Sequence, residues 1–173
     1  MPPLNHAVLS ASSAYRWLEC PPSALATADI PDETTIYAQE GSAAHEMAEY
    51  KIRWHLGAKD LAPPNVGNFN AEEIDRYTDS YAYYATDKIE TIRKICPDAI
   101  VMVEQRLDFS NYVKDGFGTG DLVIVADDVL QVIDFKYGKG VTVSAELNPQ
   151  MMLYALGCIN IGGKGIITVD GTD

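Results

Sequence analysis

The sequence predicts a single α+β domain of 173 residues, in which a mainly helical part (1–97) precedes a sheet with one crossover helix (98–173). Two observations lead to this prediction. Before Pro97, apolar residues mostly recur at three- and four-residue steps, the period of an amphipathic helix. After Pro97, runs rich in β-branched residues alternate with short polar turns. No internal repeat or linker interrupts the chain, so one domain over residues 1–173 is the simplest organisation.

Caps and prolines indicate where four helices begin and end. The predicted helices run from Ser10 to about Leu18, from Glu40-Gly41-Ser42 to about Leu56 after a loop over Pro31–Gln39, from the Asn70 cap to Pro97, and from Asn148-Pro149 to about Ile159. The second of these helices carries His45. The third is the longest, and its predicted core-facing stripe is Ile74, Tyr77, Tyr81, Tyr84, Ile92 and Ile95.

The second half of the chain predicts a mixed, mostly antiparallel sheet flanked by helices. Three strands follow one another as an antiparallel meander, because the turns between them are short: Ile100–Val103, Gly120–Val125 and Val129–Phe135. A fourth strand, Ile166–Val169, comes after a crossover helix. We therefore expect it to join the sheet in parallel.

Charge and composition exclude several function classes. Thirteen Lys and Arg residues against 25 Asp and Glu residues give a net charge of −12, which excludes a generic DNA-coating protein. The three cysteines form no Cys-x-x-Cys pair, so neither a disulfide framework nor a zinc finger is expected. The chain shows neither a membrane-spanning run nor a signal peptide pattern, and we expect a cytoplasmic protein without a membrane partner.

Three charged residues in the strand region suggest chemistry. Asp121 follows Gly118-Thr119-Gly120, and alternation places Asp134 and Lys136 on one face of the next strand with Phe135 on the other. Two converging carboxylates beside an ammonium group would suit a hard cation such as Mg²⁺, which suggests metal-assisted hydrolysis. The spacing alone is equally compatible with an exposed ion pair between Asp134 and Lys136 and a turn role for Asp121.

An ordered series of residues decides between these interpretations. The series consists of Gly41-Ser42-Ala43-Ala44-His45-Glu46, Gly118-Thr119-Gly120-Asp121, Asp134-Phe135-Lys136, and Gln150 with Tyr154. In this order, it resembles the RecB-like branch of the PD-(D/E)XK nuclease superfamily, and more closely the phage-encoded RecB-type exonuclease-like proteins, which are similar to the CRISPR-associated RecB-like exonucleases. The resemblance spans about His45 to Tyr154.

The resemblance implies a restriction-endonuclease-like core and a Mg²⁺- or Mn²⁺-dependent deoxyribonuclease, an exonuclease or end-processing enzyme in phage recombination or DNA repair. DNA is then the expected partner, together with a candidate recombination or repair protein. One or two ions would be held by His45, Asp121, Asp134 and the backbone carbonyl of Phe135. The implied catalytic residues are Asp121, Asp134, Lys136, Gln150 and Tyr154, and the implied DNA-binding residues are Lys139, Gln150 and Tyr154.

Several alternatives stay open at this stage. Glu104 is a secondary candidate for the acidic cleft, although a strand-edge salt bridge with Arg106 is equally consistent with the sequence. Tyr154 and Gln150 could instead pack in the core and cap a loop. A zinc-protease interpretation of His45 needs a second histidine where the chain has Glu49, and it is set aside.

The chain also departs from the resembled family. Asp134 stands where Glu is commoner, which shortens the reach to a metal. Cys20 resembles the first cysteine of relatives with a [4Fe–4S] cluster, but only Cys158 follows near the last helix, so no iron–sulfur cluster is expected. The chain could be a fragment that lacks later strands of the core at its C-terminus. The alternative function is a catalytically inactive, nuclease-fold binding or structural module.

Overall fold

The computed structural model describes residues 7–27, 30, 35–127, 129–138 and 143–159, and the backbone of 166–171. The described helices are a 3₁₀ turn (Ala11–Ser13), α1 (Ala14–Glu19), α2 (Pro22–Ala26), α3 (Ile36–His55), α4 (Ala71–Ile95) and α5 (Pro149–Ile159). The described strands are β1 (Ile100–Asp108), β2 (Phe117–Ala126), β3 (Val129–Asp134) and β4 (Ile166–Gly171).

The four strands form one sheet in the order β1-β2-β3-β4. β1, β2 and β3 pair antiparallel, and β4 pairs parallel to β3 after the α5 crossover. The α+β class, the antiparallel meander and the parallel fourth strand are therefore confirmed. β1 and β2 extend beyond their predicted ends because the two strands pair from Ile100–Val125 to Asp108–Phe117, which carries the polar ends of both into the sheet.

Helices cover both faces of the sheet. On one face, α3 and α4 pack on a core that includes Ile52, Ile74 and Ile124. On the other face, the 3₁₀ turn, α1 and α5 pack on a core that includes Leu107 and Val132. Alternation along the strands produces this division, because successive side chains point to opposite faces.

The predicted side-chain caps of α4 and α5 are present, but the start of α3 and the presence of α2 were not predicted correctly. The side chains of Asn70 and Asn148 accept backbone N–H groups at the starts of α4 and α5, as predicted. However, α3 begins at Ile36 rather than Glu40, because Thr35 caps it by accepting the N–H of Ala38. Pro22 begins a further helix, α2, rather than only ending α1, since proline is well tolerated in a first helical turn.

The predicted stripe of α4 is partly wrong. Ile95 is 84% exposed and Tyr77 is 47% exposed. The small residues Thr78, Ala82 and Ala85 are buried instead. Small side chains allow α4 to approach its neighbours closely, so the buried face is set by packing rather than by hydrophobicity alone. Within the described residues, no helix combines the length and apolar character needed to cross a membrane.

Candidate metal and active site

The centre of the site is a contact between helix α3 and strand β2. The Nδ1 atom of His45 lies 3.3 Å from the Oδ1 atom of Asp121. The second oxygen of Asp121 accepts the backbone N–H of Phe135 at 2.5 Å, just beyond the end of β3. Asp121 is only 8% exposed. Its carboxylate therefore joins the helical layer to two strands of the sheet.

Glu104 completes a group of three potential metal ligands. One ligand atom each from His45, Glu104 and Asp121 lie within 4.8 Å of one another. The register places Glu104 across from Asp121, since the pairs on either side are Val103–Leu122 and Gln105–Gly120. The sequence alternative of a salt bridge with Arg106 is not what the structure shows, because the Arg106 guanidinium lies over the Phe117 ring at 3.5 Å.

The backbone of Glu104 is strained. Its φ angle is +51°, in the left-handed region that side chains other than glycine rarely adopt. Such a conformation costs about 1 to 3 kcal/mol and persists only where surrounding contacts enforce it. Strained residues of this kind concentrate at functional sites, which agrees with the place of Glu104 beside Asp121.

A second polar group forms between β3 and α5. The Lys136 ammonium lies 2.5 Å from Oδ2 of Asp134, and the Gln150 amide nitrogen donates to Oδ1 of Asp134 at 3.2 Å. Lys136 also donates to the amide oxygen of Gln150 at 3.1 Å, and the amide nitrogen of Gln150 lies 3.0 Å from the Tyr154 hydroxyl. The amide orientation is consistent, because its nitrogen faces oxygen atoms and its oxygen faces an ammonium.

Glycine at position 118 allows Tyr154 to reach this group. A Cβ atom at position 118 would lie 2.6 Å from the Tyr154 ring, closer than real Cβ contacts allow. The Tyr154 ring is buried in the α5 core while its hydroxyl contacts Gln150. Tyr154 thus packs in the core, and its role in the site stays a prediction. Gln150 faces Asp134 rather than a loop.

The Phe135 ring, stacked on Tyr81, packs beside His45. Phe135 points away from Asp134 and Lys136, as alternation predicts, and packs in the α3/α4 core. Its ring stacks on Tyr81 at a centroid distance of 4.7 Å and lies 5.3 Å from the His45 ring. This packing restricts the orientation of the imidazole.

Three groups at the site, Glu104, Asp134 and His45, have raised pKa values. Burial, followed by the charges of Asp121 and Glu49, raises the pKa of Glu104 from 4.5 to about 7. Burial and the charge of Asp121 also raise the pKa of Asp134, despite the opposing Lys136 ammonium. Burial lowers the pKa of His45, but the hydrogen bond to Asp121 and the surrounding carboxylates outweigh it and raise the pKa overall.

The donor set fits a divalent cation. One imidazole and two carboxylates, grouped where negative charge is already unfavourable, would be stabilised by a bound positive ion. Carboxylate oxygens favour Mg²⁺ or Mn²⁺, and imidazole is compatible with Mn²⁺ and later transition metals. His45, Glu104 and Asp121 are the residues that would hold it.

The structure therefore brings together most, but not all, of the sequence-predicted residues in one place. Asp134 lies outside the group of three ligand atoms and is instead engaged by Lys136 and Gln150. Phe135 contributes its N–H to Asp121, and a ligand role for its carbonyl stays a prediction. Lys139, the third predicted DNA-binding residue, lies outside the described residues.

Sequence reasoning missed Arg53. This residue donates to Glu49 at 2.6 Å and to the carbonyl oxygen of Val103 at 2.9 Å, immediately before Glu104. A signal was present in the sequence, since His45, Glu49 and Arg53 follow at four-residue intervals and so share one face of α3.

The family model described as "Protein of unknown function (DUF2800)" matches residues 6–165. The chain belongs to the DUF2800 family. The match includes every member of both polar groups, from His45 to Tyr154, so the site lies within the segment that defines the family. No solved structure matches this DUF2800 chain.

Proposed function

We propose that this DUF2800 chain is a Mg²⁺- or Mn²⁺-dependent deoxyribonuclease of the RecB-like branch of the PD-(D/E)XK superfamily. The observation that carries the proposal is the adjacency of two polar groups: the potential ligands His45, Glu104 and Asp121, and the Asp134–Lys136 ion pair. The hydrogen bond from the Phe135 N–H to Asp121 links them, because Phe135 lies between Asp134 and Lys136 in sequence.

The architecture supports the same superfamily. A mixed sheet carries helices on both faces, and the crossover helix α5 brings Gln150 and Tyr154 to the end of β3. A restriction-endonuclease-like core is built on this plan. The exonuclease or end-processing activity, and the role in phage recombination or repair, rest on the sequence resemblance.

The mechanism assigns separate roles to the two groups. A bound divalent ion would polarise the scissile phosphate and lower the pKa of an attacking water. Lys136, which is 47% exposed, would orient that water or stabilise the negative charge that develops on the phosphate oxygens. Asp134 holds the ammonium in place, and Gln150 bridges Asp134 and Lys136 so that the ammonium keeps one direction.

The net charge of −12 requires local compensation before a polyanion can bind. At the site, Lys136 is an exposed cation, and a divalent ion would add two further positive charges beside three carboxylates. DNA binding should therefore depend on metal more strongly than in a basic nuclease. The proposal thus connects the acidic composition with a metal requirement.

The test uses end-labelled linear DNA and closed circular DNA, each incubated with Mg²⁺, Mn²⁺ or EDTA. We expect the linear DNA to be degraded with either ion, the circular DNA to persist, and EDTA to stop the reaction. Asp121→Asn should abolish cleavage, whereas the matched control Asp79→Asn, on the exposed side of α4, should cleave as the wild type does.

Two results would contradict the proposal. Equal cleavage by wild type and Asp121→Asn, in preparations free of contaminating nuclease, would show that Asp121 takes no part in the reaction. Mn²⁺ binding without cleavage of any DNA would instead favour the alternative of an inactive nuclease-fold module.

A further inference from the structure

Arg53 joins helix α3 to the strand that carries Glu104. Its Nη2 atom donates to the carbonyl oxygen of Val103 at 2.9 Å, and its Nε atom donates to Glu49 at 2.6 Å. The Val103 carbonyl belongs to the peptide bond between Val103 and Glu104. Because a peptide bond is planar, a hydrogen bond to this carbonyl fixes the plane from which the φ rotation of Glu104 is measured.

The strain at Glu104 needs such a constraint. With φ at +51°, Glu104 departs from extended geometry, although the residues on both sides of it pair normally with β2. Relaxation of this residue toward the extended region would relieve the strain and would redirect its side chain. A fixed hydrogen bond on the preceding carbonyl opposes that relaxation.

The geometry of Arg53 is itself fixed. Glu49 lies one helical turn before Arg53 and accepts from Nε, which leaves Nη2 directed at Val103. A planar guanidinium with two such bonds has a defined orientation, which a single ammonium would not have. The guanidinium charge also acts on Glu104 directly, and it lowers the pKa of that carboxyl against the larger effect of burial.

We propose that Arg53 is a positioning residue, which holds the backbone of Glu104 so that its carboxylate stands beside His45 and Asp121. Within the described part of the chain, Arg53 acts on the candidate ligand group through Glu104, by way of the Val103 carbonyl. The inference rests on the proposed metal centre and deepens it, since it names the residue that positions Glu104 beside His45 and Asp121.

The chain offers a matched control on the same helix. Lys51 also joins α3 to another element, through its ammonium, which lies 3.0 Å from Asp75, 2.9 Å from Thr78 and 2.6 Å from Asp79 on α4. Loss of Lys51 removes contacts between helices without touching β1. Lys51→Met and Arg53→Met should therefore both lower the free energy of unfolding, but only Arg53→Met should disturb Glu104.

The experiment measures Mn²⁺ binding by calorimetry and the backbone of Glu104 by metal-free crystal structures. In Arg53→Met we expect Mn²⁺ to bind at least about tenfold more weakly, the usual effect of losing a group that orients a ligand. We also expect the φ angle of Glu104 to become negative. Arg53→Lys, which keeps one donor, should recover part of the affinity, and Lys51→Met should bind Mn²⁺ as the wild type does.

The outcomes separate this inference from the proposed function. Wild-type Mn²⁺ affinity in Arg53→Met, with Glu104 unmoved, would overturn it, as would an equal loss of affinity in Lys51→Met. If Glu104 moves in Arg53→Met but the wild type binds no Mn²⁺, the positioning role stands and the proposed metal-dependent function fails. Should Arg53→Met not fold, the comparison of Arg53→Lys with Lys51→Met decides by the same criteria.

Discussion

Replacement of Glu104 by glutamine should stabilise the metal-free protein in mildly alkaline solution and change little in acid. The pKa of Glu104 is raised from 4.5 to about 7 in the folded protein. A carboxyl group with a raised pKa binds its proton more tightly in the folded state. Its contribution to stability is complete below about pH 4.5 and is lost as the pH rises through about 7. Glutamine stays neutral and does not incur this loss.

The rise in pKa sets the size of the effect. At about 1.4 kcal/mol per pKa unit, a change from 4.5 to about 7 corresponds to at most about 3 to 4 kcal/mol of lost stability. Glu104 is half-buried, so solvent reduces this value, and we expect a gain of about 1 to 3 kcal/mol in the variant. For a domain of this size, the melting temperature would rise by about 2 to 12 °C.

Thermal melts in EDTA at several values between about pH 5 and pH 8 would measure the effect. The control is Glu90→Gln, an exposed carboxylate on α4, which should melt in parallel with the wild type. Because the pKa values of Asp134 and His45 are also raised in the folded protein, the stability of Glu104→Gln should still fall as the pH rises, but less steeply than that of the wild type. A variant that melts below the wild type at about pH 8, or in parallel with it throughout, would refute the reasoning.

Three further predictions concern the second polar group. Asp134→Ala and Lys136→Ala should each abolish most cleavage with an unchanged circular dichroism spectrum, because both groups act on the reaction rather than the core; full activity in either would exclude the mechanism. Gln150→Ala and Tyr154→Phe should slow cleavage about tenfold or more, with a smaller change in Mn²⁺ affinity measured by calorimetry. Gly118→Ala should lower the free energy of unfolding by about 1 to 3 kcal/mol in urea titrations, since its methyl group would meet the Tyr154 ring; a stability equal to wild type would show that the ring can move aside.

Features with a local cause could be predicted from the sequence. Side-chain caps, prolines and the change of hydrophobic period located α4, α5 and the three meander strands, because each signal acts over only a few residues. Alternation placed Asp134 and Lys136 together, and the ion pair between them agrees. The order of charged residues also directed attention to His45, whose imidazole lies beside Asp121.

Features that depend on long-range packing could not be predicted in this way. The left-handed backbone of Glu104 is held by Arg53, which is 50 residues away in sequence from its acceptor Val103. Nothing in the residues around Glu104 favours that conformation, since glycine and asparagine are the types that adopt it readily. The sequence also did not predict that Glu104, rather than Asp134, joins His45 and Asp121 in one group of potential ligand atoms.

The layer that carries His45 consists of two linked helices. The Lys51 ammonium of α3 contacts three residues of α4, Asp75, Thr78 and Asp79. Asp121 belongs to the sheet, so the candidate ligand group spans the boundary between the helical layer and the sheet. An ion bound across this boundary would hold the helical layer against the sheet. Local opening of the two layers would then be a step in the release of the ion.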